Sequence, residues 1–240
     1  METRDITLSI LDHHVLGQRE QEGRIVQVEK AVLSRNQMIA EENRKRFKDA
    51  GVVVLNMLSS PGSGKTSLIV RTLNDLRSLR AAVIVGDLAT DNDAQRIHKT
   101  KVTSVQIQTG GVCHLEASMI AKAASHLALE KLDVLFIENV GNLVCPAIYD
   151  LGEEARVVLF SVTEGEDKPL KYPKMFKTAD LVLITKTDLA GATDFNLDTA
   201  LHNVQLVAPT VKVIELSART GQGLEQWYDA LAERIKHVYA

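Results

Sequence analysis

The chain has 240 residues, of which 45% are hydrophobic and 25% are charged, a composition typical of a globular protein with one large core. The formal net charge is −3, and no apolar run approaches the roughly 20 residues of a membrane span, so neither nucleic acid nor a membrane is expected as a partner. The charged N-terminus lacks a signal-peptide core and there are only two cysteines, so we expect a reducing, cytoplasmic location.

The first fifty residues differ from the rest of the chain in their high content of charge and helix formers. Apolar side chains recur among the charged ones from residue 23 to 50. This pattern predicts one or two amphipathic helices that pack on the main domain or on a partner. A solvated arm is the alternative.

From Gly51 onward, short apolar runs rich in Val and Ile alternate with amphipathic runs. Strands are predicted at Val52–Leu58, Ala82–Val85, Ser104–Gln108, Val134–Glu138, Val157–Val162, Leu181–Thr185 and Val211–Leu216. Helices are predicted at Thr66–Leu79, Leu115–Leu129, Phe195–Val207 and Leu224–Val238. This alternation predicts a three-layer α/β domain, in which helices cover both faces of a mostly parallel sheet.

The first strand–helix unit carries Ser-Ser-Pro-Gly-Ser-Gly-Lys-Thr-Ser at Ser59–Ser67. A glycine-rich loop between strand and helix indicates a phosphate-binding P-loop, because loop N–H groups and the helix N-terminus converge on one anion. Lys65 would reach the β- and γ-phosphates, and the Thr66 hydroxyl would ligate Mg²⁺. Ser59 replaces the first glycine of the usual pattern, and an ordinary Gly/Ser-rich turn is the alternative. The residues expected at the phosphates are Gly62, Ser63, Gly64, Lys65, Thr66 and Ser67.

Two later strand ends indicate which base is bound. Asp188, in Thr185-Lys186-Thr187-Asp188, can accept from both N1–H and the N2 amino group of guanine. The stem of Lys186 would cover the base, and the backbone of Ser217, Ala218 and Arg219 could donate to guanine O6. Thr185 stands where the usual pattern has Asn, which is expected to remove a hydrogen bond between the base loop and the P-loop. The series predicts a GTPase.

Acidic residues at two other strand ends are candidates for holding Mg²⁺ or sensing the γ-phosphate. Glu138 ends one strand and Asp87 ends another, with Asp91 and Asp93 close behind Asp87. Helix capping is the alternative role for Asp91. No arginine or general base is clearly placed, so slow intrinsic hydrolysis is expected. The candidate catalytic residues are Lys65, Asp87 and Glu138, and the candidate Mg²⁺ ligands are Thr66, Asp87 and Glu138.

Cys113, His114 and Cys145 lie in two loops that follow predicted strands. Two thiolates and one imidazole suit Zn²⁺ or Ni²⁺, with water or a two-fold-related subunit completing the coordination. Spacing alone favours the alternative, in which two small buried cysteines accompany a histidine at a helix start.

Four segments together resemble the HypB family of hydrogenase nickel-incorporation GTPases, namely Ser59–Thr66, Gly110–Leu115, Phe136–Pro146 and Ser161–Pro173. The resemblance runs from Val52 to the C-terminus and implies a SIMIBI-type P-loop GTPase that assists nickel insertion into the large subunit of [NiFe]-hydrogenase. It also implies a homodimer when GTP is bound, the small nickel- and zinc-binding partner HypA, and metal ligands at Cys113, His114 and Cys145. The N-terminal cysteine motif or His-rich tract of some members is missing, since only His13 and His14 occur there.

Three alternatives are open. A related GTPase could serve urease or a cobalamin enzyme, although the Cys145-Pro146 segment favours the hydrogenase branch. A P-loop small-molecule kinase would use ATP and need an acceptor pocket, whereas a regulatory switch would bind neither nickel nor zinc. The favoured interpretation divides the chain into a helical extension, residues 1–50, and a GTPase domain, residues 51–240.

Overall fold

The structure is a computed structural model that describes residues 30–87 and 92–238. Seven strands of this described part pair in one sheet, every neighbouring pair is parallel, and the strand order is β3-β2-β4-β1-β5-β6-β7. The strands are β1 (Val53–Ser59), β2 (Ala81–Asp87), β3 (Thr103–Gln108), β4 (Val134–Glu138), β5 (Ala155–Ser161), β6 (Leu181–Thr185) and β7 (Lys212–Leu216). Since β1 is central and fully buried, the loop that follows it opens at the middle of the sheet edge.

Helices connect the strands and cover both faces of the sheet. They are α1 (residues 30–49), α2 (Lys65–Asp75), α3 (Asn92–His98), α4 (Ala117–Ala124), α5 (Lys168–Lys171), α6 (Pro173–Lys177), α7 (Leu197–Val207) and α8 (Leu224–Val238). Short 3₁₀ turns occupy Leu129–Lys131, Cys145–Ala147, Val162–Glu164 and Thr187–Ala192. None of the helices in the described part combines the length and apolar character needed to cross a membrane.

The strand side chains alternate between two apolar layers. On one face, Leu55 and Met57 pack in a cluster with residues of α2, α3 and α8, including the buried Trp227. On the other face, Val54 packs with residues of α1 and α4, and Leu58 with residues of α6 and α7. The predicted three-layer α/β architecture of a SIMIBI-type P-loop protein is therefore confirmed.

Helix α1 packs on this domain through one stripe of side chains. Asn36, Ala40, Asn43 and Phe47 are buried at intervals of four, three and four residues, which places them on one helical face. A solvated arm is therefore wrong for residues 30–49. His13 and His14 lie outside the described residues, and the division of the chain at residue 50 stays a prediction.

The predicted strands agree with the observed ones to within a few residues, because each is a short apolar run with a clear end. The predicted helix Leu115–Leu129 was too long, since α4 spans only Ala117–Ala124 and a separate 3₁₀ turn begins at Leu129. Helix α2 likewise ends at Asp75 rather than Leu79. Helices α3, α5 and α6 were not predicted, because they are short and two of them begin around prolines.

Candidate nucleotide and metal sites

The P-loop borders a cavity of about 410 Å³ at the carboxyl ends of the central strands. Gly62 and Gly64 have φ angles of 75° and 102°, a left-handed conformation that side chains with a Cβ rarely adopt. A Cβ at either position would meet nothing within 4 Å, so backbone conformation rather than crowding requires glycine. Positive φ angles at these two glycines, with the N-terminus of α2 directly after them, are features of a glycine-rich loop that binds phosphate.

Lys65 is buried at the wall of this cavity. Its Nζ donates to the Ser59 hydroxyl at 2.9 Å, so the serine that replaces the first glycine of the pattern holds the lysine. Burial lowers the pKa of Lys65, and the nearby Glu138 carboxylate opposes that shift. A cation kept in a poorly solvated cavity without a bidentate carboxylate partner is suited to an anionic ligand.

Glu138, at the end of β4, faces the same cavity. The Thr66 hydroxyl donates to Glu138 Oε1 at 2.6 Å, while Oε2 is buried and finds no hydrogen-bond partner among the described residues. Burial raises the pKa of Glu138 to about 7, against the opposing influence of Lys65 and Thr66. An unpartnered buried carboxylate oxygen beside a hydroxyl fits a hard divalent cation such as Mg²⁺. Asp87, at the end of β2, also lines the cavity.

The cavity contains an arginine that the sequence did not single out. Arg96 lies on α3, donates from Nη2 to the Ser67 hydroxyl at 2.9 Å and pairs with Asp93 at 3.4 Å. It was missed because α3 was not predicted, so nothing placed its side chain near the P-loop. Asp91 lies outside the described residues, and its capping role stays a prediction.

A second cavity of about 230 Å³ adjoins the first, and Gly64, Ser67 and Lys186 line both. The predicted base-binding residues come together here: Lys186, Asp188, Ser217, Ala218 and Arg219. The Ser217 hydroxyl donates to Asp188 Oδ1 at 2.6 Å, and Arg219 Nη1 lies 3.6 Å from Asp188 Oδ2. The carboxylate is thus fixed in orientation at the end of the cavity.

Thr185 ties the base loop to the P-loop. Its hydroxyl donates to the Ser63 carbonyl at 2.6 Å, so the expectation that the replacement of Asn removes this connection was wrong. The two loops follow strands β1 and β6, which end at the same edge of the sheet with β5 between them, and the Thr185 hydroxyl spans that separation. The Ser63 hydroxyl in turn donates to Glu164, whose carboxylate also accepts from the Ser161 N–H in a capping box.

Cys113, His114 and Cys145 form one cluster, in which potential ligand atoms of all three lie within 4.8 Å of one another. The two sulfur atoms are 2.9 Å apart and belong to free thiols. The His114 ring stacks on Tyr149 with centroids 3.9 Å apart, and its Nε2 is buried without a hydrogen-bond partner in the described chain. Burial lowers the pKa of His114, which favours the neutral imidazole that ligates metals.

These three donors suit a borderline metal such as Ni²⁺ or Zn²⁺ and leave a tetrahedral position open. The adjacent Cys113 thiol and burial raise the pKa of Cys145, so a cation bound at the cluster would favour the Cys145 thiolate. The geometry therefore favours a metal cluster over two unrelated buried cysteines. Both thiols are only partly buried, which leaves access to solvent.

A buried polar chain connects the end of β4 with the two loops that carry the cysteine and histidine cluster, here called the first metal loop (Cys113 and His114) and the second metal loop (Cys145). Asn139, directly after Glu138, accepts from the Leu115 N–H at 3.4 Å and donates to Asn56 Oδ1 at 3.2 Å. Asn56 then donates to Glu153 Oε1 at 3.1 Å. Leu115 follows His114 in the chain. Asn139 therefore lines the nucleotide cavity and also holds the first metal loop through its side-chain amide.

Arg156 extends this chain to the second metal loop. It lies 3.1 Å from the buried Glu153 carboxylate and donates to the Pro146 carbonyl at 2.7 Å and the Tyr149 carbonyl at 3.2 Å. Pro146 follows Cys145, and Tyr149 carries the ring stacked on His114. Neither Asn139 nor Arg156 was singled out in the sequence, because nothing in a single chain marks long-range amide and carbonyl pairing.

The parallel sheet, the P-loop and the adjoining base cavity define a P-loop nucleotide-binding protein. A family model described as the CobW/HypB/UreG nucleotide-binding domain matches residues 53–215. The hydrogenase maturation factor HypB of Rhizobium leguminosarum bv. viciae is 53% identical, covering 90% of this chain and 72% of the relative. HypB from Helicobacter pylori in complex with nickel has a TM-score of 0.81 at 43% identity, covering 85% of this chain and 97% of that chain. The chain therefore belongs to the CobW/HypB/UreG family and, within it, to the HypB hydrogenase maturation factors.

This membership argues against the small-molecule kinase. A structure of HypB from Archaeoglobus fulgidus has a TM-score of 0.79 at 38% identity and covers 84% of this chain and 99% of that one. A Helicobacter pylori relative named hydrogenase/urease maturation factor HypB is 43% identical over 89% of this chain and 90% of its own length. The hydrogenase branch is thus supported, and a relative in the same family carries urease in its name.

Proposed function

We propose that this protein is a GTPase that binds nickel and assists its insertion into the large subunit of [NiFe]-hydrogenase. The observation that carries the proposal is the Cys113–His114–Cys145 cluster, joined by buried hydrogen bonds to the end of the strand that bears Glu138. Relatives named hydrogenase maturation factors, one of them in complex with nickel, support the same assignment. Asp188, held by Ser217 in the second cavity, supports GTP over ATP.

The nucleotide-binding roles follow from the chemistry of the two cavities. Gly62, Ser63, Gly64, Lys65, Thr66 and Ser67 would bind the phosphates, and Lys186, Asp188, Ser217, Ala218 and Arg219 would bind guanine. Thr66, Asp87 and Glu138 would hold Mg²⁺, which supplies neutralisation of phosphate charge when it is bound. Lys65, Asp87 and Glu138 remain the candidate catalytic residues.

GTP-dependent dimerisation would complete the metal site, and the small nickel- and zinc-binding protein HypA would be a further partner. The cluster supplies three donors, and the exposed apolar side chains Val112, Val144 and Ile148 lie in or beside the metal loops. Exposed apolar groups around an incomplete metal site favour contact with a second protein surface. A two-fold contact here would bring a second set of thiols to the same ion.

The test is a nickel titration of metal-free protein, followed by thiolate-to-nickel absorbance and by gel filtration, with GDP or a slowly hydrolysed GTP analogue. Cys113→Ala and Cys145→Ala should each lose the absorbance band while GTP binding persists, because neither thiol lines the nucleotide cavities. Wild-type protein should hydrolyse GTP in preference to ATP. Nickel binding that survives both cysteine substitutions, or hydrolysis of ATP alone, would overturn the proposal.

A further inference from the structure

Two asparagines of helix α1 make matching contacts with the same two segments of the domain. Asn36 Oδ1 accepts from the Ala117 N–H at 2.8 Å, and its Nδ2 donates to the Asp150 carbonyl at 2.7 Å. Asn43, two helical turns further on, donates from Nδ2 to the Ala117 carbonyl at 2.9 Å and to the Leu151 carbonyl at 3.0 Å. Both side chains are buried, so these contacts are shielded from water.

The two segments held by α1 are those that carry the metal ligands. Ala117 opens α4 three residues after His114, and Asp150 comes five residues after Cys145. Tyr149, next to Asp150, carries the ring that stacks on His114. Glu116, the residue before α4, provides no side-chain cap, so Asn36 supplies the acceptor for an N–H at the start of that helix.

Further contacts fix α1 against the second segment. Arg44 Nη2 pairs with Asp150 Oδ1 at 2.7 Å, and Gly152 lies directly under the helix. A Cβ on Gly152 would come within 2.5 Å of the Ala40 carbonyl and 2.6 Å of Asn43 Cβ. Because the backbone at Gly152 lies so close to helix α1, the amides of Asn36 and Asn43 are within hydrogen-bond distance of both segments.

We propose that Asn36 and Asn43 are positioning residues for the metal cluster. Their hydrogen bonds fix the position of the Cys113–His114 loop relative to the Cys145 loop. None of the residues that line the two nucleotide cavities belongs to helix α1, whereas both of its buried asparagines contact the segments that carry the metal ligands. The proposal rests on the metal-binding role of the cluster proposed above. Position 36 must accept from an N–H and donate to a carbonyl at once, and the Oδ1 and Nδ2 atoms of the asparagine amide do both.

The test compares full-length Asn36→Ala, Asn43→Ala and the double variant with Glu42→Ala, an exposed residue on the same helix. Nickel affinity should fall by about tenfold or more in the double variant, within the range known for residues that orient metal ligands. The thiolate-to-nickel band should also shift, whereas GTP affinity and the Glu42→Ala control should match wild type. Unchanged nickel affinity and an unchanged band in the double variant would overturn the proposal.

Asn36→Asp separates the two contacts of Asn36. The carboxylate still accepts from the Ala117 N–H, so this N–H at the start of α4 keeps its hydrogen-bond partner. The carboxylate cannot donate to the Asp150 carbonyl, so the hydrogen bond to the segment after Cys145 is lost. It should therefore lower nickel affinity as Asn36→Ala does and fold even where the double variant does not. Nickel affinity equal to wild type in Asn36→Asp would contradict the proposal.

A nickel-free measurement distinguishes failure of this proposal from failure of the proposed function. The rate at which Cys113 and Cys145 form a disulfide under a mild azo oxidant reports how closely the two loops are held. It should fall in the Asn36→Ala and Asn43→Ala variants relative to wild type and Glu42→Ala. If wild-type protein shows no cysteine-dependent nickel binding but the rate still falls, the positioning role stands and the nickel function fails. An unchanged rate would overturn the positioning role alone.

Discussion

Single side chains at the nucleotide site show how the fold prepares buried polar groups for a ligand. Lys65 and Glu138 are both buried, yet each is held by a hydroxyl, Ser59 and Thr66 respectively, rather than by the other. Burying charges without direct pairing is costly unless a ligand later satisfies them. The raised pKa of Glu138 and the lowered pKa of Lys65 both reflect that cost.

Lys65→Ala should lose GTP affinity by at least about tenfold, since a charge-assisted hydrogen bond contributes roughly 1.5–3 kcal/mol. The fold should persist, because among the described residues the Lys65 ammonium donates only to the Ser59 hydroxyl. Isothermal titration with a GTP analogue measures the loss, and Lys99→Ala, an exposed lysine, is the matched control. Retained affinity in Lys65→Ala would show that the loop is not a phosphate site.

Asp188→Asn should reduce GTP affinity by roughly 1–3 kcal/mol and improve binding of xanthosine triphosphate. Xanthine carries an oxygen where guanine has its N2 amino group, so an amide pairs better with it than a carboxylate does. The Ser217 hydroxyl can still donate to the amide oxygen, so the loop should keep its shape. Competition assays with GTP, xanthosine triphosphate and ATP measure the order of affinities in both proteins. An unchanged order would show that Asp188 does not recognise the base.

Whole elements differ in how well the sequence predicts them. The strands and the P-loop were predicted well because apolar runs and the Gly-Lys-Thr pattern are local signals. Helix α3 and its Arg96 were not predicted, because seven residues are too few to show a helical period. The contacts of α1 with the metal loops were not predicted either, because they are hydrogen bonds between side-chain amides and carbonyls that are distant in the sequence. The cysteine cluster was recognised from the family resemblance, whereas spacing alone favoured two unrelated thiols.

Gly152→Ala should destabilise the protein by at least about 2 kcal/mol, because its φ of 88° disfavours a Cβ and the helix α1 backbone blocks the space. Gly191→Ala is the matched control, since a Cβ there meets nothing within 4 Å and no positive φ is required. Urea unfolding followed by circular dichroism measures both. Equal stability of the two variants would mean that α1 is not packed against Gly152.

At the scale of the whole molecule, the proposed nucleotide and metal sites lie along one sheet edge and share a buried polar chain. Asn139 contacts Leu115 in the first metal loop and, through Asn56 and Glu153, reaches Arg156 at the second. A change at the end of β4 can therefore displace both loops together. If GTP binding alters nickel affinity through this chain, thermodynamic linkage requires nickel to alter GTP affinity by the same factor.

Asn139→Ala should reduce the ratio of nickel affinities measured with the GTP analogue and with GDP towards one, because it removes the side-chain hydrogen bond between the end of β4 and the first metal loop. Nucleotide affinity should change far less than in Lys65→Ala. Nickel titrations in both nucleotide states give the ratio, and Asn74→Ala, an exposed asparagine, controls for the substitution itself. A ratio equal to that of wild type would place the coupling elsewhere.

The coupling of GTP to nickel is most directly tested by closing the linkage cycle on wild-type protein. Nickel affinity is measured with the GTP analogue and with GDP, and the affinity for each nucleotide is measured with and without nickel. A coupled site predicts that the factor by which the nucleotide changes nickel affinity equals the factor by which nickel changes the ratio of nucleotide affinities, and that it differs from one. A factor of one in both directions would contradict a GTP-controlled nickel site and leave two independent sites on one sheet edge.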